Sequence, residues 1–316
     1  WALALPAIAS VLLPVTFLYV CGAIVSTPVL AAISADLKHG ADEPSEPELW
    51  EDRVSTMQNS QDKIERDSLW LGIHEYADYP ILAPRRLLKE HAHILGDTGS
   101  GKTALGLAPM MTQLIRMAGR DKKAGREQQS SIVVLDLKGD AALFHGVREE
   151  AEKAGLPFKW FTNQYNHATY VFNPFTQQHM QELAFYQRAD VLLHALSLAY
   201  GTEYGQSYFG GMNREVFTRA LAAFGNAIES FTQIDYVCKP GSRTATGEKF
   251  RLTDQHYKDA AHFLSTIETL SRIPAMNITD SAPEHVSFST AAENAIDMGS
   301  VIRQPQVVYF YLKAGI

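Results

Sequence analysis

The sequence predicts an α/β fold, a parallel sheet with an inserted all-α domain behind an N-terminal transmembrane helix, from three observations. Gly96-Asp97-Thr98-Gly99-Ser100-Gly101-Lys102-Thr103 fits the phosphate-loop pattern, set between an apolar run at Ala92–Leu95 and helix formers at Ala104–Met117. Ile132–Leu137 is a continuous apolar, β-branched run of the kind buried on both faces of a parallel sheet. From Trp1 to Ala35 no residue is charged, which leaves room for a bilayer span of about 20 apolar residues.

In chain order, the span is expected over 1–33. Pro6, Pro14 and Pro28 would kink it or mark its ends, and Trp1 and Tyr19 suit the two interfaces. A secretory signal peptide competes, with Leu30-Ala31-Ala32 as a small-residue site, but a basic n-region is missing and the apolar run is too long. A first residue of Trp rather than Met reads as the mark of a fragment. Residues 34–68 are polar and acidic and read as a linker or stalk.

Residues 69–178 read as the first part of the nucleotide-binding domain. Short strands are expected at Leu69–Gly72 and Ile81–Leu82, then the loop strand at Ala92–Leu95, a helix at Ala141–Ala154 and a strand at Phe158–Phe161. Residues 179–303 change to helical spacing, over Met180–Tyr200 and over Arg214–Phe231 through Val216, Phe217, Ala220, Leu221, Phe224 and Ile228. A third helix is expected to be capped by Asp254, with Tyr257, Ala261, Leu264, Ile267 and Leu270 on one face, and to stop before Pro274. These stripes read as structural faces and are assigned no ligand. Residues 304–316 return to the sheet through Val307–Leu312, with the sheet cut open after that strand.

The loop carries the chemistry. Four fixed positions would match by chance in a chain of this length about once in a hundred. Gly99 and Ser100 add to the match, because glycine lets backbone N–H groups turn inward around phosphates. Strand, loop and helix together would place an anion at a helix N-terminus. Lys102 is then expected on the β/γ-phosphates and the Thr103 hydroxyl on Mg²⁺, with ATP as the nucleotide and Gly96 to Thr103 as its cradle. Hydrolysis needs further carboxylates. Asp136 ends the strand Ile132–Asp136, but it follows the loop helix directly and precedes Leu137-Lys138-Gly139-Asp140 rather than a second acid. Asp136 and Lys138 are therefore expected to stand behind the site rather than on the metal, and the Walker B strand is expected beyond Ile316.

Composition excludes several classes. The net charge of −7 rules out a globally basic nucleic-acid protein, without excluding local contact with DNA. Arg116, Arg120, Lys122, Lys123 and Arg126 cluster after the loop helix and read as a solvated, cation-favoured helix end. The acids Asp36, Asp42, Glu43, Glu46, Glu48, Glu51 and Asp52 outnumber Lys38 and Arg53, so flanking charge gives no orientation. The bulk is placed in the cytoplasm, where nucleoside triphosphate is available. Cys21 and Cys238 form no disulfide framework. His91 and His93 share a strand face but lack a third ligand, and Asn277-Ile278-Thr279 is a glycosylation pattern that a cytoplasmic domain would not use.

With these residues in hand, the chain resembles type IV secretion coupling proteins of the TraG/TraD kind, membrane-anchored ATPases of conjugation and effector export. The resemblance rests on the N-terminal apolar segment, His91-Ala-His-Ile-Leu-Gly-Asp-Thr-Gly-Ser-Gly-Lys-Thr103, Asp136-Leu-Lys-Gly-Asp140, Phe172-Asn173-Pro174-Phe175, and Tyr204-Gly205-Gln206-Ser207-Tyr208-Phe209. It implies a RecA-like phosphate-loop domain carrying an all-α domain, six copies in a ring, and anchorage in the bacterial inner membrane. The implied partners are single-stranded transfer DNA with its relaxase, effector proteins, and inner-membrane channel subunits. The family's Walker B acids and its later glutamine or arginine elements have no counterpart in these residues.

Two other classes compete with a translocating motor. In 179–303 ten Lys/Arg face fourteen Asp/Glu, which suits a substrate receptor using nucleotide for assembly better than a DNA-binding surface. A chromosome-pumping translocase of the FtsK or HerA type shares the nucleotide-binding fold, and the helical insertion counts against it.

Overall fold

The computed structural model of the chain describes residues 46–77, 79–127, 129–164, 167–199, 206–224, 228–244, 246–279 and 294–313. The expected span at 1–33 lies outside them, as do Tyr204 and Gly205. Among the described residues no helix is long and apolar enough to cross a membrane. The described residues fall into two compact units, divided after Glu90.

In the first unit, helix α1 (Glu46–Gln58) and the short α2 (Lys63–Arg66) precede the antiparallel strands β1 (Ser68–Ile73) and β2 (Pro80–Pro84). These two helices fall within the linker or stalk expected over 34–68. Its described part is helical, because Trp50, Val54 and Met57 recur at helical spacing among the acids, and Val54 and Met57 are buried. Both expected strands form, and they pair with each other rather than with the parallel sheet.

The second unit holds a three-stranded parallel sheet in the order β3 (Ile132–Asp136), β5 (Val307–Tyr311), β4 (Phe158–Thr162). Val134 and Trp160 both register with Tyr309, so β5 is the central strand. That position explains its unbroken apolar sequence, since Val307 to Phe310 are buried on both faces. One face packs against α3 (Ala108–Lys123) and α4 (Ala141–Ala154) through Met111, Ile115, Val147 and Ala151. The other face, through Phe161, Val308 and Phe310, meets Ala275, Ile296 and Val301. Helix α4 has its expected bounds: Asp140 accepts from the Leu143 N–H at its start, and Gly155 closes it with φ of 71°.

The strand expected at Ala92–Leu95 does not form. His91 to Asp97 has no strand pairing and Leu95 is 88% exposed, because an apolar run buries nothing until a neighbouring strand accepts its backbone. The helix expected over Ala104–Met117 is also redrawn, as a π-helical turn at Lys102–Leu107 running into α3.

Between β4 and β5 lies a helical region with one continuous core. Its elements are α5 (Gln178–Gln181), α6 (Phe185–Ala195), α7 (Gln206–Phe224), α8 (Phe231–Cys238), α9 (Asp254–Asp259) and α10 (Ala261–Ser271). A short helix, α11 (Met298–Arg303), precedes β5. Leu193, Phe217, Leu221, Phe231, Ile234, Phe263 and Ile267 meet in the core; Phe217, Leu221 and Ile267 lie on the expected faces, whereas in the third helix Phe263 is buried and the expected Ala261 is exposed. Two helix starts are corrected. The cap before α9 is Thr253 rather than Asp254: its hydroxyl accepts from the His256 N–H, and His256 Nδ1 accepts from the Thr253 N–H. The stretch expected to run through to Phe231 stops at Phe224, and α8 restarts with Ser230 as its cap.

Candidate functional site: the loop at 96–103

The loop turns at Gly99 and Gly101, whose φ angles of 84° and 78° lie in the left-handed region that favours glycine. The Ser100 N–H donates to the Asp97 carbonyl at 3.2 Å, and Gly101 accepts from the Leu105 N–H at 2.7 Å as the helix begins. Lys102 folds back over its own loop: its Nζ donates to the carbonyl of Gly96 at 2.6 Å and of Asp97 at 2.5 Å. Among the described residues, the backbone N–H groups of Gly99, Gly101 and Lys102 donate to no protein acceptor. Gly96, Asp97, Thr98, Gly99, Ser100 and Thr103 are exposed, and Gly101 and Lys102 partly so. Several N–H donors without protein acceptors and an ammonium thus lie in one short loop at the head of a helix, a donor set that suits phosphate oxygens.

Asp136 and Lys138 belong to a second turn. Asp136 is buried, and its Oδ1 accepts from the N–H of Lys138 at 2.9 Å and of Gly139 at 3.0 Å. Its Oδ2 accepts from the Asp140 N–H at 2.7 Å and the Tyr309 hydroxyl at 2.9 Å. Burial pushes the Asp136 carboxyl up, but the backbone donors and Tyr309 outweigh it and hold the group below the usual carboxylate range. Burial beside this carboxylate pushes the Tyr309 hydroxyl well above its ordinary value. Tyr311 closes the turn by donating to the Gly139 carbonyl at 2.8 Å. With about four lone-pair positions on a carboxylate, four donors leave Asp136 little capacity for a cation. Lys138 contributes its backbone N–H to the turn, and its side chain is exposed.

The hydrogen bonds that hold the loop at 96–103 are internal to it, whereas the turn at 137–140 is also held by Tyr309 and Tyr311 from β5. Sequence reasoning missed Tyr309 and Tyr311, whose signal was two hydroxyls at alternate positions of an otherwise apolar strand, a spacing that puts both on one face. It also left the Asn-Pro pair without a physical role. Asn173 is buried, its Oδ1 accepts from the Phe175 N–H, and its Nδ2 donates to the Glu229 and Ile278 carbonyls at 2.7 and 3.0 Å. Gln177 continues this junction to the Ile296 carbonyl and the Met298 N–H. The basic cluster is largely satisfied locally: Arg116 pairs with Glu150 at 2.8 Å, Arg126 with Asp121 at 3.0 Å, and Lys122 donates to the Gly155 carbonyl.

Among the described residues, no group of three or more His, Cys, Asp or Glu side chains is placed to hold a metal ion. The donor set at 96–103, backbone N–H groups with an ammonium and the Thr103 hydroxyl, fits a nucleotide that arrives with its own cation. The chain matches no protein-family model, no curated protein and no solved structure.

Proposed function

We propose that residues 96–103 bind the phosphates of ATP and that the chain is the nucleotide-binding part of a membrane-anchored translocation ATPase. The observation that carries the reading is the loop itself, where the N–H groups of Gly99, Gly101 and Lys102 have no protein acceptor at the start of a helix and the Lys102 ammonium is bonded only to loop carbonyls. On binding, Lys102 exchanges its two carbonyl acceptors for phosphate oxygens, and the loop N–H groups take the remaining oxygen positions. The Thr103 hydroxyl is the ligand this chain offers to Mg²⁺, whose chemistry is to neutralise charge on the β- and γ-oxygens. Asp136 acts at one remove, by fixing the turn at 138–140.

The resemblance to coupling proteins extends the proposal to cargo and place: a homo-hexamer in the bacterial inner membrane, its bulk cytoplasmic, passing transfer DNA with relaxase or effector proteins to a secretion channel. The order of its motifs along the chain supports that extension, as does the long helical segment between β4 and the returning β5. A receptor role for the helical region is the second reading, favoured by its fourteen acidic against ten basic residues.

The test is ATP turnover by the complete membrane protein, with and without single- and double-stranded DNA, and with Lys102→Ala as the blank. Turnover that depends on Lys102 and rises with DNA is expected. Nucleotide binding without DNA-stimulated turnover transfers the weight to the receptor reading. Unchanged nucleotide binding by Lys102→Ala overturns the site.

A further inference from the structure

The segment joining the loop to α3 is wound wider than an α-helix. Over Lys102–Leu107 it is π-helical, and the Ala108 N–H donates to the carbonyl of Thr103, five residues back. Pro109 follows at once, as the second residue of α3. In continuous α-helical winding a proline here would press its ring on the Leu105 carbonyl and leave that carbonyl without a donor. An extra residue in the preceding turn relieves the clash, which gives the π-turn an identifiable cause. Pro109 is itself anchored, because the fully buried Gln113 donates from its side chain to the Pro109 carbonyl at 3.2 Å.

The consequence falls on the loop. Helix α3 is fixed on the sheet by Met111 and Ile115, so one residue more or less in the turn before it rotates everything upstream by about 100°. That rotation sets the direction in which Lys102 and Thr103 leave the helix. The wide turn is also closely backed: a Cβ added at Gly106 would stand 3.2 Å from Ile94 Cγ2.

We propose that Pro109 is a positioning residue for the phosphate loop: by blocking α-helical winding at its own position it holds the Lys102–Leu107 turn open and aims Lys102 and Thr103. This rests on the reading of 96–103 as a nucleotide site. The experiment titrates MgATP into the complete protein carrying Pro109→Ala and follows thermal unfolding of the same sample. Alanine is the better helix former, so the unfolding temperature should hold or rise. Affinity for MgATP should fall at least about tenfold, as the turn tightens and the two side chains swing away. A residue that merely stabilised the fold would move both quantities down together.

Affinity within about twofold of the parent, with binding abolished in Lys102→Ala, overturns this inference and leaves the site standing. Parent-like binding by Lys102→Ala removes the site and this inference with it. Gly106→Ala serves if Pro109→Ala does not fold. It displaces the turn against Ile94 without touching proline, and it should lower affinity several-fold; unchanged affinity counts against the proposal.

Discussion

The turns at 96–103 and 137–140 are built from the same few residue types and do opposite things. Each has a lysine, an aspartate and glycine in left-handed conformation, Gly99 and Gly101 in one and Gly139 in the other. At 138–140 three successive N–H groups converge on an anion that the protein itself supplies, the buried Asp136 carboxylate, with the Tyr309 hydroxyl as fourth donor. At 96–103 the nearest aspartate, Asp97, offers its backbone carbonyl to Lys102, and the N–H groups of Gly99, Gly101 and Lys102 stay unspent. A turn that carries its own carboxylate is a structural clip. One that leaves its donors without a protein acceptor, beside a lysine bonded only to loop carbonyls, is the turn we propose receives an external anion.

Substitutions can break that contrast, and the largest effect is expected at Lys102. Lys102→Ala should abolish measurable MgATP binding and leave the unfolding temperature within a few degrees of the parent, because its two bonds are made on a partly exposed loop. Asp136→Ala should do the reverse. Three backbone N–H groups and a buried hydroxyl lose a charged acceptor, so unfolding free energy should drop by about 3 kcal/mol or more while the folded fraction still binds nucleotide. Equal loss of binding in both variants would erase the distinction between clip and receptor.

Smaller effects sharpen it. Tyr309→Phe removes one donor from Asp136 and should cost about 1–2 kcal/mol by denaturant unfolding, with no change in nucleotide affinity. Acid titration tests the same carboxylate. Its pKa is lowered on folding, so its stabilisation is complete above the ordinary value of about 3.9 and is lost as pH falls through the lower folded value. The unfolding temperature should therefore fall more steeply below about pH 4 in the parent than in Asp136→Asn, and parallel curves would show that Asp136 is no clip. The smallest change is expected at the glycines. Gly99→Ala meets no neighbouring atom, so only its φ of 84° is strained, by about 1 kcal/mol, and affinity should fall about fivefold. Gly139→Ala adds a contact at 3.3 Å to Tyr311 and should register in stability instead.

Where an element is specified by its own residues, the sequence was readable. Helix α4 could be bounded because Asp140 and Gly155 mark its ends locally, and β5 because a strand buried on both faces must be apolar throughout. The loop pattern at 96–103 was legible for the same reason: glycine positions and a lysine fix the turn with little help from elsewhere. The helix at 46–58 was not, since acids dominate its composition and only Trp50, Val54 and Met57 show its inner face. The restart at Ser230 was missed because apolar periodicity carries across a break that only a cap reveals.

Other properties belong to the tertiary structure alone. Nothing in Asp136-Leu-Lys-Gly-Asp140 says that the first carboxylate will be claimed by its own turn. That depends on Tyr309 and Tyr311 arriving on β5, more than 170 residues later, next to β3. Nor does Ala92–Leu95 become a strand by being apolar, because a strand exists only when a neighbour takes up its hydrogen bonds. The sequence alone determined short-range features: the glycine turns of the loop, the two ends of α4 and the apolar face of α7. The fold decided which donors were satisfied and which remained outward, because hydrogen-bond partners are settled by what packs together in space rather than by what is adjacent in the chain.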